Sequence, residues 1–218
     1  MIKAVLFDLD GTIINSEEGI TKCVQYALSC FGIEEPDRKK LLCFIGPPLD
    51  PVFREKYGFD ADKAWQAVLK YRERFDKTGI FECELYEGVA DAIRKLKEEG
   101  YIIALASSKP ETACRRILEH FSLTPYFDEI VGSTLDGSIS TKQQVLEELG
   151  RRMEHMQITK DEMCLIGDTE YDVIGANQFG IRCVGVSYGF GKREQLERAG
   201  AYCVCDSMAE VVEALQQM

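Results

Sequence analysis

The sequence predicts an α/β protein, with a parallel sheet covered on both faces by helices and a helical insert placed after the first strand. Helical and extended patterns alternate from Tyr86 to the C-terminus, the grammar of a parallel sheet with helical crossovers. An apolar run from Lys3 to Leu9 stands ahead of that alternation as an isolated strand. Between them lie roughly 70 residues without a strand signal, whose apolar positions recur at helical spacing, as in Ile20, Val24, Ala27 and Leu28.

Taken in order, Lys3 to Leu9 reads as a short buried strand that Gly11 ends. In the insert, Pro36 and Asp37 separate a first helix from a second, and Gly46-Pro47-Pro48 is a rigid turn that breaks the chain again. A charged amphipathic helix follows from Asp60 to Phe75, with Trp65, Val68, Leu69 and Tyr71 as its apolar positions. The insert is thus three or four helices without a sheet of its own. Beyond it the spacing predicts helices over 88–99, 110–121, 141–153, 171–180 and 192–199 and from Ser207 onward. Strands are predicted over 101–106, 129–131, 163–166 and 182–186 and near Tyr202. The first strand belongs to the same sheet. The expected division is therefore a core domain of residues 1–14 and 83–218, with a cap of residues 15–82 that leaves and rejoins the core at the tip of that strand.

Composition bounds the function. The chain has 218 residues, 45% hydrophobic and 29% charged, with a net charge of −11, which argues against nucleic-acid or anionic-membrane partners, since those surfaces are read by clustered Lys and Arg. No stretch approaches the roughly 20 apolar residues of a membrane span, and the N-terminus lacks a signal-like region, so the expectation is a cytoplasmic protein. Nine cysteines, scattered mostly in apolar runs without zinc-type spacing, read as reduced core residues. The two histidines, His120 and His155, adjoin no candidate nucleophile.

The chemistry is carried by strand ends. Asp8-Leu9-Asp10-Gly11-Thr12 closes the first strand, and alternate residues of a strand share a face. Asp8 and Asp10 therefore emerge together at a C-terminal strand tip, where open α/β sheets bind ligands. Two carboxylates that close need a cation or a shared proton. With a divalent metal, Asp8 is a candidate nucleophile and Asp10 a candidate acid and base; Asp and Gly are also ordinary turn residues. In Ala104-Leu105-Ala106-Ser107-Ser108-Lys109-Pro110 a second apolar strand ends in hydroxyls that can bind a phosphate oxygen or cap the following helix. Lys142 opens a helix, where it is either a solvated residue or a fixed ammonium stabilising transferring oxyanions. In Leu165-Ile166-Gly167-Asp168-Thr169-Glu170-Tyr171-Asp172 a buried strand ends in Gly-Asp with a second Asp four residues on, a spacing suited to a hard divalent metal. Asp172 also fits a helix N-terminus, complementing the dipole. The glycine-rich stretch Gly185 to Lys192 lacks Walker spacing and reads as a loop near the site's rim.

These four elements, in this order, resemble those of the haloacid dehalogenase-like phosphatases, and the resemblance spans essentially the whole chain. It implies a Rossmann-like core with an α-helical cap, and an Mg²⁺-dependent phosphatase that hydrolyses small phosphomonoesters, phosphoglycolate or a nucleoside monophosphate, through an aspartyl-phosphate. Asp8 and Asp10 would be catalytic. Ser107, Ser108, Lys142, Gly11 and Thr12 would contact phosphate. Asp8, Asp10 (by its backbone carbonyl), Asp168 and Asp172 would hold the metal. An acid at Asp10 sets the chain apart from the dehalogenases. Where many phosphoglycolate phosphatase-like relatives carry Thr-Asn-Lys-Pro, this chain has Ser107-Ser108-Lys109-Pro110. The implied partner is a small phosphorylated metabolite, with no nucleic acid polymer and no membrane, and the implied assembly a monomer or homodimer. The alternatives are a phosphomutase resembling β-phosphoglucomutase and a metal-binding regulatory module without turnover.

Overall fold

The computed structural model describes residues 1–218. The chain forms two compact units, one of Met1–Ile14 with Leu85–Met218 and one of Asn15–Glu84.

The first unit is built on a six-stranded, wholly parallel sheet. Its strands are β1 (Ala4–Phe7), β4 (Ile102–Pro110), β5 (Glu129–Ser133), β6 (Met163–Gly167), β7 (Arg182–Val186) and β8 (Cys203–Cys205), in the order β5-β4-β1-β6-β7-β8. The central strand, β1, is buried at every position, because helices cover both faces of a parallel sheet and only near-continuous apolar runs fit between them. The helices are α4 (Val89–Glu98), α5 (Glu111–His120), α6 (Lys142–Met153), α7 (Glu170–Phe179), α8 (Arg193–Ala199) and α9 (Met208–Gln216). On one face Leu6, Ala104, Val131 and Leu165 pack with Val145, Leu146 and Leu149 of α6 and Val173 and Ala176 of α7. Alternation sends Val5, Phe7, Ile103 and Leu105, all fully buried, to the other face.

Register places the site. Phe7 aligns with Leu105 on one side and Ile166 on the other, so Asp8 and Asp168, which directly follow β1 and β6, and Ser107, two residues past Leu105 within β4, lie toward the same edge of three adjacent strands. From β1 the chain continues to β4 and β5 on one side and then crosses back to β6, β7 and β8 on the other, so the strand order reverses at β1, the switch point at which open sheets bind ligands.

The second unit contains α1 (Glu17–Ser29), a 3₁₀ segment (Arg38–Phe44), α2 (Leu49–Tyr57), α3 (Ala61–Phe75) and a 3₁₀ turn (Gly79–Phe81). Phe44 and Phe53 meet with ring centroids 4.7 Å apart, and Phe31 and Phe59 at 5.4 Å, both pairs tilted at 55°, each adding about 1 kcal/mol beyond burial. A Cβ on Gly19 would strike the Gly79 carbonyl, so glycine there allows α1 to approach the 3₁₀ turn. Two expectations are corrected here. Of the four apolar positions named on α3, Val68 and Tyr71 are buried, together with Ala64, Ala67 and Phe75, whereas Trp65 and Leu69 are exposed; charged residues flank both stripes, so periodicity alone does not separate them. The chain also pairs β2 (Ile14–Asn15) with β3 (Glu84–Leu85) where it passes between the units. At two residues each, these strands fall below any period that a sequence reveals. No helix is long and apolar enough to cross a membrane.

Candidate active site

Asp8 takes its position directly from the sheet. Its amide donates to the Ile166 carbonyl at 2.9 Å, extending the β1–β6 ladder by one residue, and its carboxylate is left at the strand tip. Asp168 follows the last residue of β6, and Asp172 lies in the first turn of α7. Ligand oxygens of Asp8, Asp168 and Asp172 lie within 4.8 Å of one another, and all three residues are buried. Three carboxylates in so small a volume repel strongly.

One lysine offsets part of that charge. Lys142, buried at the N-terminus of α6, donates to Asp8 Oδ1 at 2.7 Å and to the Ala106 carbonyl at 2.8 Å, and pairs with Asp172 Oδ1 at 2.7 Å. All three ammonium protons thus have acceptors. Burial alone would push Lys142 down, but the Asp172 and Asp8 carboxylates override it and hold the ammonium above its ordinary range. The reading of Lys142 as a solvated helix-start residue is excluded by its burial. A Cβ on Gly175 of α7 would come within 2.6 Å of Lys142 Cγ, so the lysine stem crosses α7 where there is no side chain.

The remaining charge shows in the acids. Burial pushes Asp8 up to about 6, against the lowering pull of Lys142. Asp168 is pushed well up by burial and then by the Asp172 and Asp8 charges. A single ammonium among three buried carboxylates leaves a deficit of positive charge. Hard oxygen donors this close are the donor set that a small divalent cation takes, and the residues present fit one.

Asp172 has two tasks at once. Its Oδ2 accepts from the amide of Thr169 at 3.1 Å and its hydroxyl at 2.8 Å, closing the capping box of α7, while Oδ1 faces Lys142. The helix-terminal role and the site role weighed for it therefore coexist. Asp10 lies apart from this cluster. Both of its oxygens sit 2.7 Å from the Lys109 ammonium, an ion pair that is almost wholly buried. Lys109 was not singled out in the sequence, although it stands in the Ser107-Ser108-Lys109-Pro110 run; its partner is 99 residues away and adjacent only because β1 and β4 pair.

The residues expected to contact phosphate divide. Ser107 is buried, and its Oγ accepts from the Lys109 amide at 3.3 Å. Ser108 is half-buried within β4, which runs on to Pro110, four residues beyond the expected end. Thr12 is fully buried, and its hydroxyl faces Asp168 Oδ1 at 3.4 Å, so its side chain serves that carboxylate. Gly11 has φ +85°, and a Cβ there would collide with the Asp168 carboxylate; glycine is required for both reasons. The loop after β7 proves closer to the chemistry than its rim assignment suggested, since the Phe190 amide donates to Asp168 Oδ2 at 2.7 Å.

Comparison with known proteins gives the family. The family model described as haloacid dehalogenase-like hydrolase matches residues 5–186. A 5′-nucleotidase of Pseudomonas aeruginosa is 39% identical over 212 residues, covering 97% of this chain and 95% of that protein. The pyrophosphatase PpaX of Bacillus mycoides is 30% identical, covering 100% and 98%. The crystal structure of a predicted phosphatase from Clostridium acetobutylicum superposes with a TM-score of 0.93 at 44% identity, over 100% of both chains. The chain belongs to the haloacid dehalogenase-like hydrolases, among their phosphatases.

Proposed function

We propose that the protein is an Mg²⁺-dependent phosphatase of small phosphomonoesters that works through an aspartyl-phosphate on Asp8. The observation that carries this reading is the Lys142 ammonium fixed between Asp8 and Asp172, with Asp168 alongside. Asp8, Asp168 and the backbone carbonyl of Asp10 would hold the cation, with Asp172 supporting them through Lys142. When bound, Mg²⁺ supplies positive charge that keeps Asp8 ionised and offsets the charge on the transferring phosphoryl oxygens.

The chain's own groups account for the rest. Asp8 attacks phosphorus in line, and the bond to the leaving oxygen breaks as the new aspartyl–phosphorus ester forms. The leaving alkoxide takes a proton that Asp10 has first picked up from water on giving up one of its two contacts to Lys109. Water then attacks the same phosphorus and gives its proton to Asp10, and Asp8 departs as a carboxylate with release of inorganic phosphate. Lys109 fixes the position of Asp10, and Ser107 with the Lys142 ammonium would contact the phosphoryl oxygens. Gly11 and Thr12 would contribute by backbone, since the Thr12 hydroxyl is committed to Asp168.

The substrate reading is a nucleoside monophosphate or phosphoglycolate, favoured in that order by the likeness to a 5′-nucleotidase over nearly the full chain. The test is phosphate release from nucleoside monophosphates, phosphoglycolate and sugar phosphates, with and without Mg²⁺, beside an Asp8→Asn control. Release that needs the metal and vanishes in the control is the expected result. Metal-independent release, or full release by the Asp8→Asn variant, would overturn the proposal.

A further inference from the structure

The loop between β7 and α8 is a glycine-rich motif that the proposed chemistry does not use, yet it touches the site at several points. The Phe190 amide donates to Asp168 Oδ2 at 2.7 Å. Tyr188 turns its hydroxyl the other way, donating to the Thr12 carbonyl at 3.0 Å, and Thr12 in turn presents its own hydroxyl to Asp168 Oδ1. Two glycines make the close approach possible. A Cβ on Gly189 would come within 2.5 Å of Asp168 Oδ2 and would also strike the Gly11 carbonyl; one on Gly191 would strike the Asp168 backbone carbonyl. The Tyr188 ring is seated on Tyr86, with centroids 4.8 Å apart. Burial and then the Asp168 charge push its phenol up, so the hydroxyl stays a donor throughout the ordinary pH range.

We infer that Tyr188 is a positioning residue for the metal-ligand carboxylate Asp168, acting through Thr12 by tying the Tyr188–Gly191 loop to the Asp8–Thr12 loop. The inference rests on the proposed metal-dependent function. Asp168 has both oxygens held from two different loops, and its aim is fixed only while those loops keep their spacing. Tyr188 is the side chain that spans them. Outer partners of ligands commonly change metal affinity or activity by about 10- to 100-fold when removed, and Tyr188 stands one step further out, so an effect near the lower end is expected.

The test uses the full-length protein with Tyr188→Phe, which keeps the ring packing on Tyr86 and removes the hydroxyl. Mn²⁺ binding is measured without substrate by electron paramagnetic resonance, well below the melting temperature, alongside kcat, KM and Tm. The expected result is an Mn²⁺ dissociation constant raised about 5- to 10-fold with a lowered kcat and little change in KM. Thr12→Val should shift Mn²⁺ binding in the same direction, and the double variant should change it by less than the sum of the two. Unchanged Mn²⁺ affinity and kcat in Tyr188→Phe overturn the inference, whatever Tm does, while metal-dependent turnover of the unaltered protein leaves the proposed function standing. Full additivity in the double variant removes Thr12 as the route. A wild-type protein that binds no Mn²⁺ and releases no phosphate overturns both readings.

Discussion

Replacing Lys142 with Met removes the one positive charge inside the acidic cluster while keeping most of the side chain's bulk. The lysine is 6% exposed and makes three polar contacts of 2.7, 2.7 and 2.8 Å, to Asp8, Asp172 and the Ala106 carbonyl. Its loss leaves three buried carboxylates, Asp8, Asp168 and Asp172, with no ammonium among them. Breaking a buried ion pair by removing one partner costs about 3–5 kcal/mol, and in a chain of this size each kcal/mol lowers Tm by about 2–4 °C. Tm should therefore fall by about 6–20 °C in metal-free buffer near neutral pH. Protonation of the orphaned acids removes the repulsion, so the difference from wild type should shrink as pH is lowered toward about 5. Saturating Mg²⁺ should also narrow it, because a bound cation restores part of the lost charge. Phosphate release should fall by about 10²–10³-fold, the usual effect of deleting a preorganised charge at a reacting oxyanion. Calorimetry at two pH values and a phosphate assay at a temperature where both proteins are folded measure all of this. A Tm within 2 °C of wild type, or activity within about twofold, would refute the reasoning that Lys142 is the keystone of the cluster.

Other perturbations follow the same geometry. Asp8 titrates at about 6 in the metal-free fold, above its ordinary 3.8; its protonated form thus stabilises the fold fully below about pH 4, and that contribution fades as pH rises through about 6. Metal binding needs the carboxylate, so Mn²⁺ affinity measured by titration should rise from pH 5 to pH 7, and a flat profile would contradict it. Gly175→Ala places a methyl 2.6 Å from Lys142 Cγ; kcat should drop about tenfold as the ammonium shifts, since misplacement of a reacting group by a fraction of an ångström is felt directly. Lys109→Met should reduce kcat more than KM, because it releases Asp10 from a buried pair, as steady-state kinetics would record. Leu165→Ala, in the centre of the sheet, should cost about 2–5 kcal/mol in urea unfolding with kcat preserved at low temperature.

Most of the architecture could be read in advance because its signals are local. Alternating helix and strand patterns mark the parallel sheet, and Asp8, Lys142, Asp168 and Asp172 each sit at the end of a strand or the start of a helix, where open sheets gather their ligands. What escaped is what depends on distant partners or on backbone groups. Lys109 looks like any lysine until β4 is placed beside β1. The Phe190 amide and the Tyr188 hydroxyl act on Asp168 and Thr12 from more than twenty and more than a hundred residues away, and a backbone donor leaves no trace in a side-chain reading. The turn of the Thr12 hydroxyl toward Asp168 escapes for the same reason, because Gly11 at positive φ brings that loop against a carboxylate that is distant in the chain. Trp65 and Leu69 show the limit of periodicity on a heavily charged helix, where two apolar stripes compete and only packing chooses.

The most direct test of the account is to trap the covalent intermediate. The protein is quenched in acid while turning over a nucleoside monophosphate with Mg²⁺, digested, and its peptides are read by mass spectrometry for a phosphoryl group. The phosphoryl group is expected on the peptide that holds Asp8, lost when Mg²⁺ is withheld and absent in Asp8→Asn. A phosphoryl group on another residue, or undiminished phosphate release by Asp8→Asn, would contradict it.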